Sequence, residues 1–371
     1  MADGVRTYTI KSPEATEVFI SAVPRPGQPI DVEARRIFQA IHDRLCGTKA
    51  AVIFQERLFG TEAVMGPLLA VRGECYGPID DGVPPSLLVC AQPRIGPWAG
   101  VQVHAVESDT QAEVIRDSQG CPCGRSVRTA RCHYLGLSAI AAPQAGDAQH
   151  QARAMFEQAH AILKSKGVSF LAVPRTWLWL RDITDWYSRF NHERTAFFME
   201  CGILGKSELS PMPASTGIGL CPAGGAACAM DLTAVLKPAK AIEYLQAAGR
   251  QRSAYEYGSA FSRASRAVTP AGRTVFVSGT ASIDHDGRTL HTGDPIRQIT
   301  TTLDNVLAVL ADMDCHAADV VQAMAYCKAP EVEAAFETAR GRPDWPWITM
   351  ICDVCRPELL FEVEVTAVPR G

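Results

Sequence analysis

The sequence has no surplus of basic residues. Lys and Arg together number 36 against 40 Asp and Glu, which gives a formal net charge of -4. The basic side chains are scattered, so the sequence offers no basic face or tail for a nucleic-acid backbone. It also lacks an apolar run of the length that spans a membrane. These absences favour small-molecule chemistry over a nucleic-acid or membrane partner.

The first residues, MADGVRTYTIKSPEATE, lack the basic and apolar segments of a secretion signal, and we therefore expect a cytoplasmic protein. Thirteen cysteines in a long chain of this kind indicate buried or reactive thiols, so we expect no structural disulfides. Cys121, Cys123, Cys132 and His133 form a local cluster. Their spacing fits no common zinc site, so we expect a cysteine-rich loop and no metal.

Two stretches of the chain, from about 127 to 236 and from about 263 to 369, follow the same plan. In the second stretch, TVFVSGTASI is a β-branched run interrupted by Gly279, followed by a DHDG turn. The segment 297–313 then repeats apolar residues at helical spacing. In the first stretch, 155–167 offers an equivalent apolar helix face. This parallel predicts two copies of one structural unit.

Each predicted helix leads to an apolar strand, a second helix and two closing strands. The predicted strands are 168–180, 215–221 and 228–236 in the first copy, and 320–328, 348–355 and 359–368 in the second. The order is ββαβαββ, which predicts an α+β architecture with helices on one face of each sheet. The predicted domains are an N-terminal region with mixed α/β elements, a degenerate unit, a linker and a C-terminal unit, at 1–110, 111–236, 237–262 and 263–371.

The C-terminal unit resembles the RidA (YjgF) family. VFVSGTASIDHDGRTLHTGDPIRQITTTLDNVLAVL follows that family's SG turn, hairpin and helix, and LLFEVEVTAV resembles its closing strand. Two such units in tandem, linked by a segment ending in FSRA at 261–264, are similar to the chorismatases. The resemblance implies two chorismate mutase-like units, and cleavage of chorismate to pyruvate and a cyclic product without a metal or organic cofactor.

Two other functions stay open. RidA-type imine deaminases hold the substrate carboxylate with an arginine directly after a proline, whereas this sequence has Trp347 after Pro346. Without that bidentate contact the site loses its main orienting interaction, which disfavours deamination. A non-catalytic protein that binds a small ligand is the third possibility, since RidA-like units commonly trimerise through their sheets. We expect a monomer or a homotrimer.

The resemblance implies that Glu362 is the acid that protonates the methylene of the enolpyruvyl group. Alternation in LLFEVEV places Glu362 and Glu364 on one face of a strand. A carboxyl among apolar neighbours has a raised pKa, as a general acid near neutral pH requires. Ala229 stands at the corresponding position of the degenerate unit, 111–236. The alternative is an exposed glutamate on an edge strand, and Glu364 is expected to be a bystander.

Cys355 lies seven residues before Glu362. In chorismatases a cysteine at this spacing implies the subtype that makes 3-hydroxybenzoate by intramolecular rearrangement. A thiol there could shape the ring pocket, help exclude water or take part in proton transfer. A small core residue is the alternative interpretation of Cys355. The outcomes 4-hydroxybenzoate and a dihydroxycyclohexadiene carboxylate also stay open.

Arg263 and Arg175 are the candidates to bind the two carboxylates of chorismate. Arg263 lies in the FSRA segment. Arg175 interrupts an apolar strand, where a cation requires an anion beside it. Arg175 therefore either binds the substrate or forms a salt bridge with Asp182 or Glu200.

Four further residues complete the predicted pocket. Tyr255 and Tyr257 could offer phenolic hydroxyls to a carboxylate or ring faces to the substrate, although surface packing is equally ordinary for them. Gly279 and Ala281 in SGTAS are expected to border the pocket, as the matching turn does in RidA proteins, and to leave room for a ring. Gly279 could instead serve backbone geometry alone.

Overall fold

The computed structural model describes residues 4–46, 51–204, 210–247 and 250–369. These residues form three sheets of six strands each, with α-helices packed beside them. The predicted α+β class is therefore confirmed, whereas the predicted layout of two units is not. Within the described ranges, no helix is both long enough and apolar enough to cross a membrane.

The N-terminal region folds into the first sheet and its two helices. Its elements are β1 (Val5–Lys11), β2 (Ala15–Ala22), α1 (Ile30–Leu45), β3 (Ala51–Gly60), α2 (Glu62–Tyr76), β4 (Ser86–Val89) and β5 (Trp98–Ser108). The strand order is β1-β2-β5-β3-β4, in which only β3 and β4 pair in parallel. The apolar segment GVQVHAV lies within β5.

The second unit supplies the next sheet. Its elements are β6 (Glu113–Arg116), β7 (Pro122–Arg128), β8 (His133–Ile140), α3 (Ala148–Ser165), β9 (Arg175–Leu180), α4 (Ile183–Glu200), β10 (Ala214–Ile218), β11 (Cys221–Pro222) and β12 (Cys228–Lys237). The order is β10-β9-β12-β8-β7-β6, while β11 pairs with β4 of the first sheet. The strand predicted over 168–180 begins only at Arg175, because a 3-10 turn capped by the Ser169 side chain occupies 170–172.

The third unit follows the same plan. Its elements are β13 (Ile242–Leu245), β14 (Ala264–Thr269), β15 (Gly272–Ala281), α5 (Pro295–Asp312), β16 (Val320–Cys327), α6 (Pro330–Glu337), β17 (Trp347–Ile351) and β18 (Phe361–Ala367). Helix α5 begins where the Asp294 side chain accepts a hydrogen bond from the Arg297 N–H, with Pro295 in the first turn. Its buried face, including Leu303 and Val306, packs on the sheet. The order is β13-β14-β15-β18-β16-β17.

All three sheets share one order of five strands once β6, β11 and β13 are set aside. In each, an antiparallel hairpin lies beside the last strand of the unit, which pairs with the strand between the two helices. Region 1–110 is therefore a third unit of the same topology.

The sheet faces opposite the helices meet in a common core. Phe54 of the first sheet stacks on Tyr134 of the second, with ring centroids 5.0 Å apart. Trp177 of the second sheet meets Phe276 of the third at 6.2 Å. This arrangement brings the edge of each unit beside the next one, and the candidate site lies at such a junction.

Candidate active site

A pocket lies where the second unit meets the third. Its walls come from α4 and β10 on one side, and from β15, β18 and the segments that precede β14 and β18 on the other. The two units are held together here by short hydrogen bonds. The Ser215 N–H donates to Ser278 Oγ at 2.8 Å, and Ser278 Oγ donates to the Ser262 carbonyl at 2.6 Å. The pocket is thus bounded by two of the sequence-predicted units rather than contained in one.

Glu362 lines this pocket from the second position of β18 and is only 5% exposed. Its neighbours Phe361 and Val363 point to the opposite face, into the core beneath α5. Burial, followed by the negative charge of Glu364, raises the pKa of Glu362 to about 8, against the opposing effect of nearby arginines. The carboxyl is therefore protonated at neutral pH, and the alternative of an exposed edge glutamate does not describe its position.

Because Gly279 has no side chain, it leaves space for the Glu362 carboxyl. A Cβ atom at Gly279 would lie 2.0 Å from Glu362 Oε1, a distance that two non-bonded atoms cannot occupy. The Gly279 N–H donates to Thr216 Oγ1 of β10 at 2.9 Å, which fixes the turn against the second unit. Ala281 also borders the pocket. Both small residues thus lie where the sequence predicted them, and Gly279 is needed for close approach rather than for a left-handed backbone angle.

Arg263 lines the pocket and is 1% exposed. Its Nη2 atom donates to the Tyr257 hydroxyl at 2.5 Å and to the Arg252 carbonyl at 3.1 Å. Burial raises the pKa of Tyr257, so its hydroxyl stays protonated and accepts this bond. Tyr257 also borders the pocket, whereas Tyr255 is 40% exposed and lies outside it. Of the two predicted tyrosines, the structure brings only Tyr257 to the site.

Arg194 enters the pocket from α4 of the second unit and is 1% exposed. Its Nη2 atom donates to Asn191 Oδ1 at 2.6 Å, and its buried Nε atom has no hydrogen-bond partner in the part of the chain that the structure describes. Arg356 lies on the other side, where Nη1 donates to the Gly287 carbonyl at 2.6 Å. In the described ranges, none of Arg194, Arg263 and Arg356 forms an ion pair with an acidic residue. The pocket therefore carries cationic groups whose charge the protein leaves uncompensated.

Arg175 does not line the pocket. Its Nη2 atom lies 2.6 Å from Glu364 Oε2 and donates to Thr216 Oγ1 at 2.7 Å, and the pair is buried. Trp177 Nε1 donates to the other oxygen of Glu364 at 2.8 Å. The predicted role of Arg175 as a substrate clamp is not supported by this position, because Glu364 already compensates its charge. The partner is also neither Asp182 nor Glu200.

Cys355 lines the pocket and is half-buried. Burial, followed by the negative charge of Glu362, raises the pKa of the Cys355 thiol to about 12. The side chain is therefore a neutral thiol at neutral pH and not a thiolate nucleophile.

The sequence interpretation missed Arg194, Arg356 and Tyr187, which also line the pocket. A signal for Arg194 exists in the sequence, because it interrupts an apolar helical stripe at four-residue spacing from Phe190. Only the structure shows why an arginine occurs there, because at Arg194 this face of α4 borders the third unit.

The cysteine-rich segment lies away from the pocket. Cys121 is exposed, and Cys123 and Cys132 are buried thiols. All thirteen cysteines of the sequence are free. In the part of the chain that the structure describes, no group of three His, Cys, Asp or Glu side chains is arranged to hold a metal ion.

Comparison with known proteins adds three findings. Residues 258–369 match the family model described as Endoribonuclease L-PSP. A 3-hydroxybenzoate synthase from Streptomyces hygroscopicus is 28% identical over 321 residues, which cover 78% of this chain and 87% of the relative. A chorismatase crystal structure is similar with a TM-score of 0.62 at 19% identity, covering 97% of this chain and 99% of that one.

The shared fold and the C-terminal match define an α+β protein built with RidA-like units. Over most of its length the chain is thus similar in fold to a chorismatase and in sequence to a 3-hydroxybenzoate synthase.

Proposed function

We propose that this protein is an enzyme that cleaves chorismate, releasing pyruvate and 3-hydroxybenzoate. One observation carries the proposal. A buried carboxyl, Glu362, whose pKa is raised to about 8, faces a pocket with three arginines that lack acidic partners among the described residues. A dianionic substrate with an acid-labile enol ether matches both features. The similarity to a 3-hydroxybenzoate synthase supports the same conclusion.

The arginines bind the two carboxylates of the substrate. Arg194 comes from the second unit, and Arg263 and Arg356 come from the third, so the cations approach the pocket from different sides. Charge-assisted hydrogen bonds in a site that excludes water are strong and directional. They orient the enolpyruvyl group toward Glu362, while Tyr257 holds the Arg263 guanidinium in place.

Glu362 supplies the proton for the chemical step. Its carboxyl proton is transferred to the methylene carbon of the enol ether, and the bond between the ring carbon and the ether oxygen then breaks, releasing pyruvate. The hydroxyl oxygen on the neighbouring ring carbon then forms a bond to the cationic carbon as its original carbon–oxygen bond breaks. The carbon that receives the oxygen loses its hydrogen as a proton to the Glu362 carboxylate, which restores the acid and completes the aromatic ring of 3-hydroxybenzoate. The reaction divides chorismate into pyruvate and a hydroxybenzoate without consuming water. No step requires a metal or an organic cofactor.

The identity of the product depends on whether water reaches the ring. The neutral Cys355 thiol beside the acid favours intramolecular rearrangement, because it fills space without supplying a strong nucleophile. Entry of water would instead give a dihydroxycyclohexadiene carboxylate, and proton loss from the hydroxyl-bearing ring carbon without any migration would give 4-hydroxybenzoate. These are the alternative outcomes of the same protonation.

The test is an assay of purified protein with chorismate in the presence of a metal chelator, following pyruvate and identifying the cyclic product by chromatography. We expect equal amounts of pyruvate and 3-hydroxybenzoate. Glu362→Gln keeps the shape of the side chain but removes the transferable proton, and we expect it to lower kcat by at least about a hundredfold. Glu358→Gln is the matched control, since Glu358 is exposed and lies outside the pocket.

Each result bears on a different part of the proposal. A dihydroxycyclohexadiene carboxylate or 4-hydroxybenzoate would retain chorismate cleavage and refute the assigned product. Unchanged activity in Glu362→Gln would refute the role of Glu362. Absence of pyruvate from folded wild-type protein would refute chorismate cleavage itself and favour a ligand-binding protein or an altered deaminase.

A further inference from the structure

A second cavity lies where the third unit meets the first. Its volume is about 710 Å³, within the range of roughly 300–1,000 Å³ that small-molecule sites occupy. The candidate active site adjoins β10 of the second unit, and this cavity adjoins β17, the corresponding strand of the third. The two cavities therefore occupy equivalent places in a molecule of three similar units.

The cavity has no counterpart of the Glu362 acid. The strand β18 contributes Glu362 to the candidate active site, whereas the corresponding strand β5 contributes Ala99 here. Because this position has no acid, the cavity is suited to binding a small molecule and not to protonating it.

Two buried polar atoms of the lining lack partners. The Ser21 hydroxyl belongs to a residue that is 3% exposed, and among the residues that the structure describes neither it nor Arg342 Nε has a hydrogen-bond partner. Buried polar groups are nearly always hydrogen-bonded, so these two lining residues have unused hydrogen-bonding capacity.

Arg342 is also a cation of this cavity. The lining acids Asp344 and Glu337 form ion pairs, with Arg6 at 2.5 Å and with Arg94 at 3.3 Å, and the lining acid Glu333 accepts a hydrogen bond from the Arg94 N–H at 3.0 Å. In the described ranges, Arg342 forms no ion pair, although the charges of Glu337 and Asp344 act on it from a longer distance. An added carboxylate can therefore bind its guanidinium directly.

Aromatic rings surround this charge. The Arg342 guanidinium carbon lies 4.6 Å from the Phe336 ring centroid and 5.8 Å from that of Trp347, which itself lines the cavity. A flat ring can pack on Trp347 while its carboxylate meets the guanidinium. We propose that this cavity is a second binding site, specific for a hydroxylated aromatic carboxylate, with Arg342 and Ser21 as its polar contacts and Trp347 as its ring contact.

The test is calorimetric titration of the full chain with 3-hydroxybenzoate and with its uncharged analogue 3-hydroxybenzamide. Arg263→Met is used as background, because it weakens binding at the candidate active site. We expect one site to persist in that background for the acid and to be absent for the amide. Adding Arg342→Met should weaken this binding at least about tenfold, because a charge-assisted pair is lost. Arg340→Met, two residues away, exposed and outside the lining, should leave it unchanged.

Binding that is unaffected by Arg342→Met, or that disappears with Arg263→Met alone, would overturn the proposal. Circular dichroism and thermal unfolding check that each variant is folded. If Arg342→Met does not fold, Ser21→Ala decides the question, since it removes one hydroxyl and little volume. It should weaken binding about threefold to tenfold, and no loss would equally overturn the proposal. Because the readout is binding at a different cavity, a failure of chorismate cleavage would leave this result interpretable.

Discussion

Opposing charges act on the Glu362 carboxyl, and burial decides the balance. Arg356, Arg175 and Arg263 each favour the ionised form, while burial and Glu364 favour the protonated form more strongly. A dianionic ligand bound to Arg356 and Arg263 would offset their effect and keep the proton on Glu362. In the proposed reaction, these two cations would thus bind the substrate without ionising the acid that protonates it.

The proposed role of Glu362 predicts the pH dependence of catalysis. Because Glu362 must be protonated, kcat/KM should fall about tenfold per pH unit once the pH exceeds its pKa of about 8. Cys355, whose pKa is raised to about 12, should not contribute to this limb. The measurement is kcat/KM for chorismate from about pH 6 to about pH 10. If kcat/KM already falls about tenfold per pH unit from about pH 6, without a plateau below about pH 8, the acid has an ordinary glutamate pKa and the assignment is contradicted.

Stability gives a second readout of the same proton. The folded-state pKa of Glu362 is raised above its ordinary value of 4.5, so the folded protein binds the proton more tightly than the unfolded chain. Its contribution to stability is therefore present at low pH and declines by about 1.4 kcal/mol per pH unit between those two values. In Glu362→Gln this component should vanish, as urea unfolding at several pH values would show. Identical pH dependence in both proteins would contradict it.

At the scale of elements, helix α4 carries a cation of the second unit to a pocket shared with the third. Trp186, Phe190 and Phe197 of this helix are buried in the core of the second unit. Arg194 continues the same face, so the helix that stabilises one unit also orients a side chain toward its neighbour. A helix packed in this way holds the guanidinium at a fixed position before the substrate arrives.

This arrangement predicts different results for two arginines on one helix. Arg194→Met preserves much of the length and packing of the side chain but removes its charge, so it should lower kcat/KM for chorismate roughly tenfold to a hundredfold. Arg189→Met should have no such effect, because Arg189 is exposed and lies outside the pocket. Steady-state kinetics of the two variants, with thermal unfolding as a check of folding, provide the comparison. Equal activity in both would show that Arg194 does not contact the substrate.

An element could be predicted from the sequence only where a regular pattern within its own segment determines its structure. Helix α5 and strand β18 could be predicted because their apolar spacing is regular. The first unit could not, since α2 contains Pro67 and β3 carries the buried polar residues Gln55, Glu56 and Arg57. Gln55 and Arg57 contact the second unit, as in the ion pair of Arg57 with Asp231 at 2.7 Å, whereas Glu56 binds Arg72 and Tyr76 of α2. Propensity within a segment does not report such contacts.

The candidate site shows the same division. Glu362, Arg263, Gly279 and Ala281 could be placed from the C-terminal sequence because they lie in or beside recognisable strands. The partner of Arg175 could not, because Glu364 is 189 positions away and belongs to a different sheet. A buried arginine predicts that an anion is near, but only the packing of two units determines which one.

At the scale of the whole molecule, polar contacts connect the units around the common core. Arg57 of the first unit pairs with Asp231 of the second, and Arg175 of the second pairs with Glu364 of the third. Gln322 of the third unit donates to the Val103 carbonyl of the first at 3.1 Å. Each unit therefore contacts both of the others, and the three units form a closed ring within one chain.

This ring predicts that the protein is a monomer. The sheet faces opposite the helices already pack on one another within one chain. A second copy would find few exposed apolar side chains on these faces, and stable assembly requires that such surface be buried. Size-exclusion chromatography with light scattering should give the mass of one chain, independent of protein concentration. A mass three times larger that persists on dilution would contradict this expectation and would require an interface on the outer, helical surface instead.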